Sequence, residues 1–309
     1  MKPLNNIDKN LVIHADNLET LKSLSGVSFR MIYIDPPFNT GHTQKKETLV
    51  TKRSEDGSGT RTGFGGRKYS STKVSEFSYE DSFDDYIEGF LGPRLLEAWN
   101  LLSEDGTIYV HLDFREVHYV KVWMDKTFGR DKFLNELIWA YDYGAKSKKK
   151  WSAKHDTILV YVKNPKKYYF NSEEVDREPY MAPGMVTAEK AERGKLPTDV
   201  WWHTIVPTNG KERTGYPTQK PIGILKRMIT ASSKPGDVVL DFFGGSGSTG
   251  EASLILGRKF ILVDESQQAI DVMRKRFTGG EGDKEITRFG ELQDIGHLLP
   301  DTVQDWRYS

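Results

Sequence analysis

Short apolar runs alternate along this chain with stretches where apolar residues recur every three or four positions. Residues 11–15 read as a strand, after which Asp16 and Asn17 cap a helix carrying Leu18, Leu21 and Leu24 on one face. A second strand over 30–35 ends at Asp35. Residues 83–102 space Phe83, Ile87, Phe90, Leu91, Leu95, Leu96 and Trp99 as a helix. Residues 107–112 then alternate as a strand, and 115–128 return to helical spacing. Residues 137–140 and 157–162 read as two strands joined by a lysine-rich loop, 142–156. A helix over 221–232 leads into a strand over 237–243, a glycine turn and another helix. A strand over 259–264 and a helix over 267–277 complete the pattern, which has no internal repeat. Strands alternating with helices predict a doubly wound α/β sheet.

Two stretches break the pattern. Residues 41–75 are rich in Gly, Ser, Thr and basic side chains without any period, which reads as a mobile loop; loops of that length are usually functional or disordered. Residues 171–215 contain Pro179, Pro183, Pro197 and Pro207 and read as a separate insertion. The expected organisation is therefore a sheet-forming part over 1–170, the insertion over 171–215, a second sheet-forming part over 216–279 and a tail over 280–309. At 309 residues the chain suits one large α/β domain with a smaller insertion.

Overall charge decides little, because 44 Lys and Arg face 44 Asp and Glu. Its distribution decides more. Lys45, Lys46, Lys52, Arg53, Arg61, Arg67, Lys68 and Lys73 crowd the first irregular stretch. Lys146, Lys148, Lys149, Lys150, Lys154, Lys163, Lys166 and Lys167 face Asp156 alone across 146–167. Such segregation creates a basic face on a neutral molecule, although a lysine run is equally at home as a solvated loop. The absence of cysteine removes disulfide scaffolds, thiolate zinc sites and cysteine nucleophiles. No run has transmembrane length and the N-terminus has no signal-peptide core, so a soluble cytoplasmic protein is expected.

The candidate chemistry sits at two strand ends. In open α/β sheets ligands bind beyond the carboxyl ends of the strands, where strand order reverses. Asp35-Pro36-Pro37-Phe38 follows the run Met31 to Ile34, and Asp241-Phe242-Phe243-Gly244-Gly245-Ser246-Gly247-Ser248-Thr249 follows Val238 to Leu240. The two prolines fix the backbone and donate nothing, which leaves the Asp35 carboxylate and the turn carbonyls as an acceptor cluster beside the Phe38 ring. That combination suits a planar amine such as a nucleobase amino group. The plain alternative is a capping aspartate on a rigid turn.

Gly244, Gly245 and Gly247 permit a tight turn and close approach of backbone to a ligand. No lysine stands where a nucleotide phosphate loop requires one. A dinucleotide spacing can be drawn through Gly245, Gly247 and Gly250, so a nicotinamide or flavin cofactor competes, as does a turn with no ligand. In either cofactor reading Asp264 can accept from ribose hydroxyls.

These motifs together resemble the β-class amino-methyltransferases of DNA, in which the catalytic motif precedes the S-adenosylmethionine motif. Tyr216-Pro217-Thr218-Gln219-Lys220-Pro221 and His14-Ala15-Asp16-Asn17-Leu18 are similar to further segments of that family. Arg94-Leu95, the stretch 101–113, and Lys154-His155 ahead of 157–161 resemble the modification subunits of type III restriction systems. The resemblance covers about residues 10–277. It implies a Rossmann-like sheet with circularly permuted motif order, in which 1–170 is the catalytic half, 41–75 a DNA-contacting loop, 171–215 the target-recognition insertion and 216–279 the cofactor half.

It also implies roles. Asp35 and the Pro36 carbonyl accept from the target amine, within the rigid turn that Pro37 completes, and Phe38 stacks on the flipped base. Asp241, Phe243, the backbone of Gly244, Gly245 and Gly247, and Ser248 and Thr249 form the cofactor turn. Lys220 lies near the cofactor carboxylate, Asp264 takes the ribose with Glu265 as the competing acid, and Asp16 takes the adenine. No metal is implied. Double-stranded DNA is the implied substrate, and a homodimer and a separate restriction endonuclease are compatible partners. Asp ahead of Pro-Pro-Phe favours adenine N6 over cytosine N4. Cytosine C5 chemistry needs the cysteine this chain lacks. A Rossmann oxidoreductase and a DNA-binding protein without catalysis are the competing classes.

Overall fold

The computed structural model describes residues 10–41, 44–53, 61–62, 68–79, 81–144, 146–207, 209–278 and 304–305. The N-terminal part gives β1 (Leu11–His14), α1 (Asn17–Ser23), β2 (Phe29–Ile34), β3 (Gln44–Arg53), β4 (Arg61–Thr62) and β5 (Lys68–Tyr79). A π-helical turn (Tyr86–Leu91), α2 (Gly92–Leu101), β6 (Leu102–Leu112), α3 (Val117–Phe128), β7 (Phe133–Ala140) and β8 (His155–Val162) follow. The remainder gives α4 (Ala188–Arg193), β9 (Val200–Trp202), α5 (Ile222–Ser232), β10 (Val238–Asp241), α6 (Ser248–Ile255), β11 (Lys259–Asp264), α7 (Gln267–Thr278) and β12 (Gln304–Asp305).

Among the described residues, nine strands form one sheet in the order β12-β1-β11-β10-β2-β6-β8-β7-β9. The five strands from β1 to β6 in that order are mutually parallel, and β8 runs antiparallel to both of its neighbours. From β10 the chain passes through α6 to β11 on one side, whereas β2 leads to β6 on the other. Strand order therefore reverses between β10 and β2, and the carboxyl ends meeting there carry Asp241 and Asp35. The expected doubly wound sheet with permuted motif order is the one observed.

Alternation along the strands divides the core into two faces. Ile32, Ile34, Ile108, Val110 and Leu240 pack with Leu21 of α1, Leu24 just past its end, Leu95 and Ala98 of α2 and Val120 of α3. Met31, Tyr33, Tyr109, Ile158 and Val239 pack with Leu225, Met228 and Ile229 of α5, while Leu262 packs with Ile270 and Met273 of α7. Burial of this kind is worth about 1.5–3 kcal/mol for each large apolar side chain. Asn17 crosses from α1 to the sheet, donating to the Phe242 carbonyl at 2.7 Å.

Three readings need correction. The stretch 41–75 is not a featureless loop: β3 pairs antiparallel with β5 from Gln44↔Tyr79 to Arg53↔Tyr69, and β4 pairs with β5. Polar residues dominate these strands and the few apolar ones, such as Leu49, Val50, Val74 and Phe77, do not alternate regularly, so no period betrays them. The single helix over 83–102 is interrupted by the π-helical turn, where the Gly92 N–H bonds to the Ile87 carbonyl. Pro93 lies in the first turn of α2 and has no N–H to give, which makes this a natural place for the register to slip. The insertion 171–215 is tied to the sheet, since β9 pairs parallel with β7 at its edge. The tail 280–309 lies outside the described residues apart from β12.

Candidate active site

One cleft opens at the carboxyl ends of β2 and β10, lined on one side by Asp35, Pro36, Pro37 and Phe38 and on the other by Asp241 and the glycine turn. Asp35 Oδ2 accepts from Lys220 Nζ at 2.5 Å, and that lysine is almost fully buried. Asp35 Oδ1 is also buried and has no hydrogen-bond partner among the described residues. An unpaired buried carboxylate oxygen is costly, and in a cleft it marks a place for a donor from outside. Lys220 Nζ stands 5.1 Å from the centre of the Phe38 ring, so one cation steadies both the acid and the aromatic.

The turn after β2 is pinned from below. Tyr86 donates to the Pro37 carbonyl at 2.6 Å, and Thr40 donates to Asp81 at 2.6 Å. Asn39 adopts a left-handed φ of 52°, with its amide donating to Glu116 at 2.8 Å and accepting from the Phe83 N–H at 2.9 Å. Phe38 stacks on His111 with centroids 6.2 Å apart and planes 27° from parallel. His111 Nδ1 is 2.9 Å from the Tyr33 hydroxyl, and its Nε2 is 3.1 Å from Asp156, which also accepts from Tyr141 at 3.2 Å. With the ring proton on Nε2, every bond in this chain has one donor and one acceptor. Burial drives the Asp156 carboxyl upward, but the hydrogen bond from His111, the nearby charge of Lys220 and the hydrogen bond from Tyr141 outweigh it and leave it below the usual range.

On the other wall, Asp241 accepts from Thr249 at 2.6 Å and from the Phe243 N–H at 3.0 Å. Asp264 accepts from the Gly245 N–H at 2.8 Å and from Ser266 N–H at 2.9 Å. Gly245 has φ +50° and Gly247 φ +75°, a conformation that L side chains seldom adopt, and Gly247 closes the turn by donating to the Gly244 carbonyl at 2.8 Å. Burial raises Asp241 to about 7 and Asp264 to about 6 against their own hydrogen bonds; Asp35 and Asp264 charges add to the first and Glu265 to the second. Two carboxyls held upward by burial form a pocket that a cationic ligand would ionise.

Most of the residues expected from the sequence meet here: Asp35 to Phe38, Lys220, Asp241, Phe243, Gly244, Gly245, Ser248, Thr249 and Asp264 all line the cleft, and so does Glu265. Three fall elsewhere or do something else. Asp16 is not among the lining residues; it caps α1 by accepting from the Glu19 N–H and pairs with Arg94 at 3.0 Å. Gly247 is also absent from the lining and packs against Met273 and Phe277. Lys220 lines the cleft but is committed to Asp35. Within the insertion, Trp201 is 6% exposed and lies in the core, whereas its neighbour Trp202 is 77% exposed.

Several lining residues carried no assigned role in the sequence. Arg94 donates to Asn17 at 2.5 Å and to the Phe90 carbonyl at 2.8 Å, and its guanidinium lies 4.3 Å from the centre of the Phe90 ring. Asn17, Phe90, Arg94 and Tyr216 extend the cleft beyond Phe243 and the glycine turn. Their signal was position alone: Asn17 follows the capping Asp16, and Arg94 and Tyr216 stand inside segments similar to the family's.

Comparison with known proteins fits this geometry. The family model described as DNA methylase matches residues 29–275. The DNA adenine methyltransferase YhdJ of Escherichia coli (strain K12) is 29% identical, over 86% of this chain and 81% of its own length. Among solved structures, the M1.HpyAVI–SAM complex superposes with a TM-score of 0.52 at 18% identity, over 86% of this chain and 98% of that one. PvuII DNA methyltransferase (cytosine-N4-specific) superposes with a TM-score of 0.59 at 16% identity, over 93% and 98%. With its sheet, its two strand-end motifs and most of its length matched, the chain belongs to the N6/N4 DNA methylase family.

Proposed function

We propose that the protein transfers a methyl group from S-adenosylmethionine to N6 of adenine in double-stranded DNA. The observation that carries this reading is the buried, unpartnered Asp35 Oδ1 beside the Phe38 ring, facing a glycine turn across one cleft. The residues fit the cofactor. The Gly244–Ser246 backbone admits close approach, Asp241 suits a cationic end, and Asn17, Phe243 and Tyr216 enclose the remainder. Asp264 or Glu265 meets the ribose; both Asp264 oxygens already accept from backbone, whereas Glu265 is exposed on the rim.

S-adenosylmethionine, when bound, supplies an electrophilic methyl group on a sulfonium sulfur. An aryl amine is a weak nucleophile because its lone pair is shared with the ring. Asp35 Oδ1 and the Pro36 carbonyl take its two N–H groups and turn the lone pair toward the methyl carbon, so alignment contributes much of the acceleration. Lys220 keeps Oδ2 engaged, which leaves Asp35 a single face for the amine. Asp35 is also placed to receive the proton that the methylated nitrogen sheds. Phe38, backed by His111, is the platform for an extruded base, whose extrusion costs a few kcal/mol.

Incubating the protein with labelled S-adenosylmethionine and unmethylated plasmid DNA should yield N6-methyladenine among the nucleosides. N4-methylcytosine as the sole product would overturn the base assignment. A second copy of the chain and a separate restriction endonuclease are partners that rest on the family resemblance. Among the described residues no helix is long and apolar enough to cross a membrane, and a cytoplasmic location beside the DNA substrate is part of the proposal.

Cofactor binding should depend on pH with a defined sign. Asp241 and Asp264 hold protons in the folded protein up to about 7 and about 6, above an unfolded carboxylate near 3.8. The folded state therefore binds more protons than the unfolded one between about pH 4 and 7, and the ligand-free protein loses stability as pH rises through that window. A cationic ligand favours the ionised carboxyls, so affinity for S-adenosylmethionine should rise from about pH 5.5 to about 8 with protons released near about pH 6.5. Calorimetry in buffers of different ionisation enthalpy measures that release. A dissociation constant flat across the range would remove Asp241 from contact with the cationic end.

The DNA path is expected along the carboxyl edge. Lys148, Lys149 and Lys150 are exposed in the loop between β7 and β8. Replacing all three by alanine should weaken binding to every sequence alike and lower the slope of log affinity against log salt by about 0.9 for each phosphate no longer neutralised. Changes at Trp202, Asn209 or Arg213 of the insertion should instead alter which sequences are modified. An unchanged slope in the folded triple variant would leave the lysines as solvent-facing only.

A further inference from the structure

The loop between β7 and β8 has more structure than a lysine run requires. Ala140 ends β7 opposite His155, and Thr157 of β8 pairs with Leu112 at the end of β6. Ile34 at the end of β2 pairs with Val110. The loop therefore rises from the same edge of the sheet as Asp35. Its two stems are joined to the base platform: Tyr141 donates to Asp156, Asp156 is bonded to His111, and His111 stacks on Phe38.

The upper part of the loop is held by its own bonds. Ser147 Oγ accepts from the N–H groups of Lys149 and Lys150 at 3.1 and 3.2 Å, and the Ser147 N–H donates to Ser152 Oγ at 2.9 Å. Lys154 Nζ donates to the carbonyls of Tyr143 and Gly144 at 2.7 and 2.8 Å. Between these bonds stands Trp151, 99% exposed. A tryptophan generally buries about 150–250 Å² in a core or interface, so an indole presented wholly to water on a bonded turn has its apolar area free for a partner. The three exposed lysines immediately before it suit a polyanion as that partner.

We infer that Trp151 enters the duplex and occupies the space vacated by the flipped base. An extruded adenine leaves a flat, apolar gap between two base pairs, and an inserted side chain that stacks there offsets the lost stacking. Indole has the size and planarity to do so, and stacking on an aromatic side chain has no sequence requirement. The lysines hold the flanking phosphates while the stem, bonded through Asp156 to His111, keeps the wedge in register with the Phe38 platform. The inference rests on the methyltransferase reading above.

The test begins with wild-type protein and unmethylated plasmid DNA, on which modified-base sequencing locates the target. That site is then built into two synthetic duplexes, one fully paired and one with an abasic position opposite the target adenine. Trp151→Ala should lower single-turnover methylation of the paired duplex roughly 10- to 100-fold and leave the abasic duplex within about 2-fold of wild type, because extrusion there no longer needs a wedge. Trp151→Phe should recover most of the loss, and neither variant should change the salt slope that the triple lysine variant lowers. Equal losses on both duplexes, or no loss on the paired one, would overturn the wedge. Wild-type protein that transfers no methyl group to the plasmid would overturn the methyltransferase reading itself, and the wedge with it.

Discussion

Asp35→Ala should abolish methyl transfer, lowering kcat by at least about 1000-fold, while the affinity for S-adenosylmethionine changes by less than about threefold. Loss of a single preorganised hydrogen-bonding group at a reacting centre costs about 100- to 1000-fold. Here two functions go together, since Oδ1 faces the open cleft and Oδ2 holds Lys220. The alanine variant leaves a buried lysine without its carboxylate, a loss typically worth about 3–5 kcal/mol of stability, so a lowered melting temperature is also expected. Asp35→Asn separates the effects. It keeps an acceptor and a similar shape but forfeits the charge that steadies Lys220 and the basicity that receives the proton. Its turnover should fall nearly as far as that of the alanine variant, with less loss of stability. Single-turnover kinetics alongside cofactor titration decide the matter. Near-normal turnover in a folded Asp35→Ala protein would remove Asp35 from the chemistry.

What could be read in advance depended on how local the signal was. Met31 to Ile34 and Val238 to Leu240 are short apolar runs that end in an acid, followed in one case by two prolines and in the other by two phenylalanines and a glycine turn, and each needs only its own neighbours to be recognised. Their meeting at a reversal of strand order follows from the general architecture of such sheets. The hairpin of β3 and β5 was hidden because few apolar residues punctuate its strands and they do not alternate regularly along the sequence, so the main periodic signal for a strand was missing. The links that organise the cleft were hidden for another reason. Lys220 reaches Asp35 across 185 positions and Tyr33 reaches His111 across 78, and each residue alone is compatible with many surroundings. Asp16 illustrates the opposite hazard. Its capping role was legible from its place ahead of α1, and in the folded chain its carboxylate is engaged there and on Arg94. Adjacent tryptophans could not be distinguished by type either; alternation along β9 sends Trp201 into the core and Trp202 outward.

Gly245→Val should remove measurable S-adenosylmethionine binding, at least about 100-fold in affinity, from a protein that still folds. Gly245 sits at φ +50°, where a branched side chain is strained by more than the roughly 1–2 kcal/mol that a left-handed residue ordinarily costs. Its N–H also holds Asp264 at 2.8 Å, so relief of that strain by a backbone shift would release the second carboxyl of the turn. The space that a Cβ would enter at this position is otherwise open, with Tyr216 the nearest side chain at 3.4 Å, and both residues line the cleft. The added methyl groups therefore fall in the ligand's space and not in the core. Gly247→Val provides the contrast. A Cβ there would lie 2.9 Å from Met273 and 3.2 Å from Phe277, away from the cleft lining, so its main effect should be a fall in melting temperature. Calorimetric titration and thermal melting of both variants separate the two roles, with Gly245→Ala as the milder backbone control. A folded Gly245→Val protein that binds the cofactor as tightly as wild type would move the cofactor away from this turn.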